Sequence, residues 1–257
     1  MRKLLMLSLL TALPATLAAE DLPQGLKSAV FLPGWMDQNG NRIAALELVM
    51  APGWKTYWRQ PGETGLPPEF DWRGNNIGAV EFHWPAPEVI QSDGTRTLGY
   101  HDRLVLPFTV TPETPGREIG ISADILLGLC ENICIPAELS LSAPAADEAP
   151  DPVIQTALAQ QPDPSPVQPP CVIGEIEDGM TLTMTVPEWG ADLAVEYAAD
   201  RDVWASTPEY NAEGTEISVD FVAPSGKPFA FEPGAVITTM LGEDGATEFR
   251  GCAAGRG

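Results

Sequence analysis

Cys130 and Cys134, in the run Leu129-Cys130-Glu131-Asn132-Ile133-Cys134-Ile135-Pro136, are the residues of this chain whose type and spacing point most directly to chemistry. A disulfide between them closes a ring of about 5 residues, for which chain entropy gives on the order of 2 kcal/mol, against roughly 4.5 kcal/mol for a loop of about 80. So small a ring braces little and is better suited to thiol exchange. The remaining cysteines, Cys171 and Cys252, sit at the first and nearly last positions of a separate stretch, so a bridge between them closes a long loop and reads as a structural staple. His83 and His101 are the only histidines. With Cys130 and Cys134 they would make a Cys2His2 donor set, but the spacing matches no zinc module, and ordinary surface or core roles are expected. Trp54, Tyr57 and Trp58 form an aromatic run that reads as a half-buried strand before a sugar platform. There is no Ser-His-Asp set and no Gly-rich phosphate loop.

The compartment decides whether disulfides are permitted. Arg2 and Lys3 precede an apolar run from Leu4 to Leu17, and Thr16-Leu17-Ala18-Ala19 supplies small residues for cleavage, so residues 1–19 read as a signal peptide. The apolar run is too short for a membrane span, and no later stretch approaches the necessary length. An exported, soluble protein is therefore expected, in an oxidising compartment read as the periplasm, where four cysteines most simply make two pairs. The formal charge is -22. Such a surface repels phosphate backbones and anionic headgroups, which argues against nucleic acid and membrane surfaces as partners.

Behind the cysteines stand short alternating segments. Leu46, Leu48 and Met50 share one face with Glu47 opposite, and Trp54-Lys55-Thr56-Tyr57-Trp58-Arg59 puts Trp54 and Trp58 on one side and Lys55, Tyr57 and Arg59 on the other. Val80 to Trp84, Arg103 to Val110, Ile119 to Leu127 and Ala137 to Leu141 add further strands. Turn chemistry separates them at Pro61-Gly62, Gly65-Leu66-Pro67-Pro68 and Ser92-Asp93-Gly94. The 26 prolines leave little room for long helices. The pattern predicts an all-β fold, a β-sandwich over 20–142 with the cysteine pair at a sheet rim. Residues 143–170 are rich in Ala, Pro and acidic residues and read as a linker, with a short helix allowed from Pro152 to Gln160. A second, smaller β domain is expected over 171–257, with Leu182, Met184 and Val186 on one face and further strands at Leu193 to Tyr197, Ile217 to Val222 and Val236 to Leu241.

From about Val30 to Leu141 the sequence resembles the N-terminal periplasmic domain of the thiol:disulfide interchange protein DsbD, in the form found with suppressor-of-copper-sensitivity type reductases. The resemblance rests on Gly53-Trp54-Lys55-Thr56-Tyr57-Trp58-Arg59 with Pro61-Gly62 and Gly65, on Trp84-Pro85-Ala86-Pro87, on Gly99-Tyr100 leading to Leu106-Pro107, and above all on Cys130 to Pro136. It implies an immunoglobulin-like sandwich with a redox disulfide outside any thioredoxin fold. The domain would relay electrons from a membrane-embedded thiol reductase to periplasmic thioredoxin-like or isomerase proteins. By motif position Cys134 attacks and Cys130 resolves the mixed disulfide. No cofactor or metal is implied, and a monomer is expected.

The same resemblance implies a cap loop over the pair within Pro85 to Gly94. Glu88, Val89 and Ile90 stand there in place of an aromatic residue. Glu131 and Glu138 flank the pair, and no Lys, Arg or His occurs from Ser122 to Ser142, so the local stretch disfavours a thiolate unless folding brings in His101 or Arg103. Two other readings stand beside the relay. One is a non-catalytic β-sandwich adaptor with two structural disulfides, and the other a copper-handling periplasmic protein using soft sulfur ligands.

Overall fold

The structure is a computed structural model that describes residues 22–62, 65–92, 94–186, 192–242 and 245–255; the stretch read as a signal peptide lies outside these residues. Among the described residues no helix is long and apolar enough to cross a membrane.

The chain is nearly all strand. In the first half β1 (Leu26–Met36), β2 (Arg42–Met50), β3 (Lys55–Gly62), β4 (Glu69–Trp72), β5 (Ile77–Phe82), β6 (Glu88–Ser92), β7 (Thr95–His101), β8 (Arg103–Pro112), β9 (Ser122–Cys130) and β10 (Cys134–Ser142) make two antiparallel sheets. One runs β1-β2-β8-β5 and the other β10-β9-β3-β7-β6, with β4 also paired to β9. Their inner faces enclose a single core in which Leu46, Trp58, Leu106, Phe108 and Leu127 are fully buried. This is an immunoglobulin-like sandwich. Alternation drives it: in β9, Ala123, Ile125, Leu127 and Leu129 point inward, leaving Asp124, Leu126, Gly128 and Cys130 on the outer face.

The segment read as a linker is held against this sandwich. The side chain of Asp151 caps α1 (Pro152–Leu158) by accepting from the Val153 N–H at 2.7 Å, and Pro152 fills the first turn, where no donor is missed. Ile154 and Ala157 are buried, and the Ala86 N–H donates to the Gln160 carbonyl at 2.8 Å. Next comes β11 (Asp163–Ser165), which belongs to the second unit.

That unit contains β12 (Pro170–Ile176), β13 (Gly179–Thr185), β14 (Asp192–Tyr197), β15 (Trp204–Ala205), β16 (Glu209–Tyr210), β17 (Glu216–Val222), β18 (Val236–Gly242), β19 (Gly245–Arg250) and β20 (Ala253–Ala254). They form sheets β11-β19-β18-β14 and β15-β17-β13-β12-β20 over a second core of Leu182, Met184, Val195, Ile217, Val219 and Phe221. A Cys171–Cys252 disulfide lies inside that core, both cysteines being buried.

Ion pairs join the two sandwiches. Arg59, on the outer face of β3, reaches Glu196 of β14 at 2.9 Å and Glu248 of β19 at 2.6 Å, and Arg96 of β7 pairs with Asp192 at 2.8 Å. Burial works against the Arg59 charge, but Glu196 and Glu248 outweigh it and raise its pKa.

Candidate functional site at the rim of the first sandwich

Cys130 is the last residue of β9 and Cys134 the first of β10, so the short ring is the closed end of a hairpin whose strands stay in register from Cys134↔Cys130 to Ser142↔Ser122. A Cys130–Cys134 disulfide is present, with Cα atoms 4.1 Å apart. The two sulfur-bearing residues differ sharply in access. Cys130 is 5 % exposed, whereas Cys134 and the turn residues Glu131, Asn132 and Ile133 are all exposed, Ile133 at 76 %.

Strand β3 lies on the other side of β9. Lys55 is directly opposite Cys130, and His101 of β7 is directly opposite Lys55. Cross-strand partners share a face, so Cys134, Cys130, Lys55 and His101 form one row across the outer surface of the sheet. Two residues along β3 on the same face, the Tyr57 hydroxyl lies 2.9 Å from the Cys134 sulfur. Glycine at 128 permits this, because a Cβ there would sit 2.9 Å from two Tyr57 ring carbons. Burial pushes the Tyr57 phenol up, so at neutral pH it is an O–H donor facing the sulfur. On the opposite face, β3 parts from β9 after Thr56, and the Thr56 hydroxyl donates to the Gly128 carbonyl at 3.0 Å. The turn into β3 depends on Gly53, whose φ of +83° favours glycine and whose outer side faces the Glu131 carboxylate.

The matching stretches lead to a family. Residues 26–146 match the family model described as thiol:disulfide interchange protein DsbD, N-terminal. Over this part the chain is similar to the DsbD N-terminal family. Among solved structures the chain is similar to the crystal structure of the N-terminal periplasmic domain of ScsB from Proteus mirabilis, with a TM-score of 0.62 and 23% identity over 88% of this chain and 92% of that one. That likeness is one of fold, and its extent takes in more than the DsbD N-terminal segment. A match to murine CEACAM1b, at 10% identity over 88% of this chain and 100% of that one, has a TM-score of 0.20 and carries no argument. No curated protein matches the chain.

The residues picked from sequence fall in three places. Cys130 and Cys134 meet, as do Cys171 and Cys252 in the other sandwich. Glu88, Val89 and Ile90, expected as a cap, instead belong to β6, the outermost strand of the sheet, with β7 and β3 lying between them and the cysteines. The reason is the pairing: Val89 turns toward the core opposite Leu98, Ile90 is buried, and the Glu88 carboxylate bonds His101 Nδ1 at 2.8 Å. The aromatic group at the pair comes from Tyr57.

The cation missing from Ser122 to Ser142 also comes from β3, as Lys55. Arg103 is engaged elsewhere, with Glu47. His83 is half-buried, its Nε2 2.7 Å from the Thr109 hydroxyl, and burial pushes its pKa down. Among the described residues no group of three or more His, Cys, Asp or Glu side chains is placed to hold a metal ion. The signal for Lys55 and Tyr57 was their shared parity in the Trp54 to Arg59 run; what the sequence lacked was the register that sets that strand beside Cys130.

Proposed function

We propose that this chain is a periplasmic thiol:disulfide exchange protein that passes reducing equivalents between a membrane-embedded thiol reductase and periplasmic thioredoxin-like or isomerase proteins. The match of residues 26–146 to the DsbD N-terminal family model supports the class of chemistry. The observation that carries the assignment of roles is the unequal access of the two cysteines across so short a ring. An incoming thiolate reaches only the exposed sulfur. It attacks Cys134 Sγ, the Cys130–Cys134 bond breaks, a mixed disulfide forms at Cys134, and the electron pair leaves on Cys130 as a thiolate. In the other direction the Cys134 thiolate attacks a partner disulfide, and Cys130 then displaces the partner. Cys134 is thus the attacking residue and Cys130 the resolving one. The buried Cys171–Cys252 bridge serves the fold.

Trapping tests the assignment. With Cys130→Ala, mixed disulfides through Cys134 accumulate in periplasmic extracts and disappear under reducing electrophoresis. Recovery of trapped partners with Cys134→Ala but not with Cys130→Ala would reverse the roles. The class of function is tested by equilibrating the protein with glutathione. An exchanging pair titrates well above about -300 mV, and a structural bridge titrates below it.

A further inference from the structure

Lys55 is 7 % exposed, and among the described residues its ammonium takes part in no hydrogen bond or ion pair. The stem of the side chain is covered, while the ammonium itself keeps contact with solvent and is left free to pair with a charge that appears beside it. Here the side chain shares an outer-face row with Cys130 on one side and His101 on the other. His101 is itself engaged by the Glu88 carboxylate, 2.8 Å from its Nδ1. The other charged side chains around the ring are carboxylates: Glu131, turned toward Gly53, and Glu138 farther along β10. While the disulfide is closed, the nearest sulfur is neutral. When it opens, a full negative charge appears on Cys130, the residue directly opposite Lys55 in the strand register.

We propose that Lys55 is a positioning residue for exchange, its ammonium stabilising the Cys130 thiolate released when the disulfide opens. This deepens the relay reading and rests on it for its biological meaning. The step balances. The incoming thiolate forms a bond to Cys134 Sγ, the Cys130–Cys134 bond breaks, and its electron pair stays on Cys130 Sγ as the counter-ion of Lys55; no other oxidant or reductant enters. In the reverse direction the same ion pair keeps Cys130 deprotonated as it attacks the mixed disulfide. Stabilising the thiolate eases its departure and shifts the dithiol/disulfide equilibrium toward the dithiol. Tyr57 and Lys55 thereby divide the labour, the phenol facing Cys134 and the ammonium facing Cys130.

The test uses the full chain with Lys55→Met, and Lys55→Gln in its place should that variant not fold, as judged by circular dichroism. In a Cys134→Ala background, the ultraviolet absorbance of the Cys130 thiolate is followed against pH. Loss of the ammonium moves its appearance upward by about one pH unit. In the otherwise native protein, reduction by dithiothreitol at neutral pH slows by about tenfold, and the glutathione equilibrium moves about tenfold toward the disulfide, close to 30 mV. Lys55→Arg restores most of all three. A Cys130 titration unchanged by loss of Lys55 overturns the proposal, because a lysine that merely packs its stem would leave that titration alone. The relay reading fails separately: if no partner is trapped while the titration still shifts, Lys55 keeps its role and the relay falls.

Discussion

Cys171–Cys252 joins β12 to the residue before β20, both cysteines buried in the second core and 81 positions apart, whereas Cys130–Cys134 joins the ends of one hairpin on the outer face of a sheet, 4 positions apart and with Cys134 exposed. The bond is the same; the surroundings are not. The long bridge is packed among apolar side chains and offers an incoming thiol no approach, while the short one is ringed by groups that respond to charge: a lysine without a partner, a phenol and a carboxylate. What differs is how much chain each bond restrains and how accessible its sulfurs are, and these two properties pull in opposite directions. A bridge that restrains much is worth burying, and one that restrains little can be opened without unfolding its domain.

The largest expected contrast follows directly. Replacing Cys171 and Cys252 by Ala removes about 4.5 kcal/mol of loop-closure stabilisation, whereas the same change at Cys130 and Cys134 removes about 2 kcal/mol. Denaturant midpoints measure both, and equal losses would abolish the distinction. Arg59→Met comes next. It leaves Glu196 packed against β3 without its ion-pair partner, while Glu248 keeps only Arg250, which costs on the order of 3 kcal/mol. The second sandwich then unfolds at lower denaturant than the first. A midpoint identical to wild type would mean the ion pairs do not hold the two sandwiches together.

Smaller still is Tyr57→Phe, which takes the O–H donor away from Cys134 and slows alkylation of the reduced protein at that cysteine by about threefold at neutral pH. Faster alkylation would recast the phenol as a steric shield. The same variant bears on alkaline stability. Burial raises the pKa of both Tyr57 and Tyr100, so the folded state holds these protons when the unfolded state has released them. Stability is therefore complete below the ordinary phenol value of about 10 and falls as pH rises past it. Tyr57→Phe makes that fall shallower, and an unchanged slope would assign the whole effect to Tyr100.

Much of the frame could be read from residue patterns because alternation is a local property. Leu46, Leu48 and Met50 gave β2, Leu182 and Met184 gave β13, and the parity of Trp54 to Arg59 was correct on both faces, with Trp58 fully buried and Arg59 turned outward. Strands without clean alternation were harder to see. β1 is interrupted by Pro33 and Gly34, where its register against β2 shifts, and β7 is buried from Thr97 to Tyr100 on both faces. β11 is three residues long and gains its partner β19 from more than 80 positions away in the chain. The site was half legible for the same reason. A cysteine pair four apart announces itself, whereas Lys55 and Tyr57 reach it only through a long-range register that no local stretch encodes.

The hairpin that holds Cys130 and Cys134 also bears on how the chain acquires its bonds. Four thiols can pair in three ways, and two of those ways cross-link the sandwiches wrongly. Closing a short loop costs far less entropy than closing a long one, so in an oxidising compartment the neighbouring thiols find each other first. Once they have, Cys171 and Cys252 are left only each other. A bond too small to brace the fold is well suited to preventing mispairing during oxidative folding.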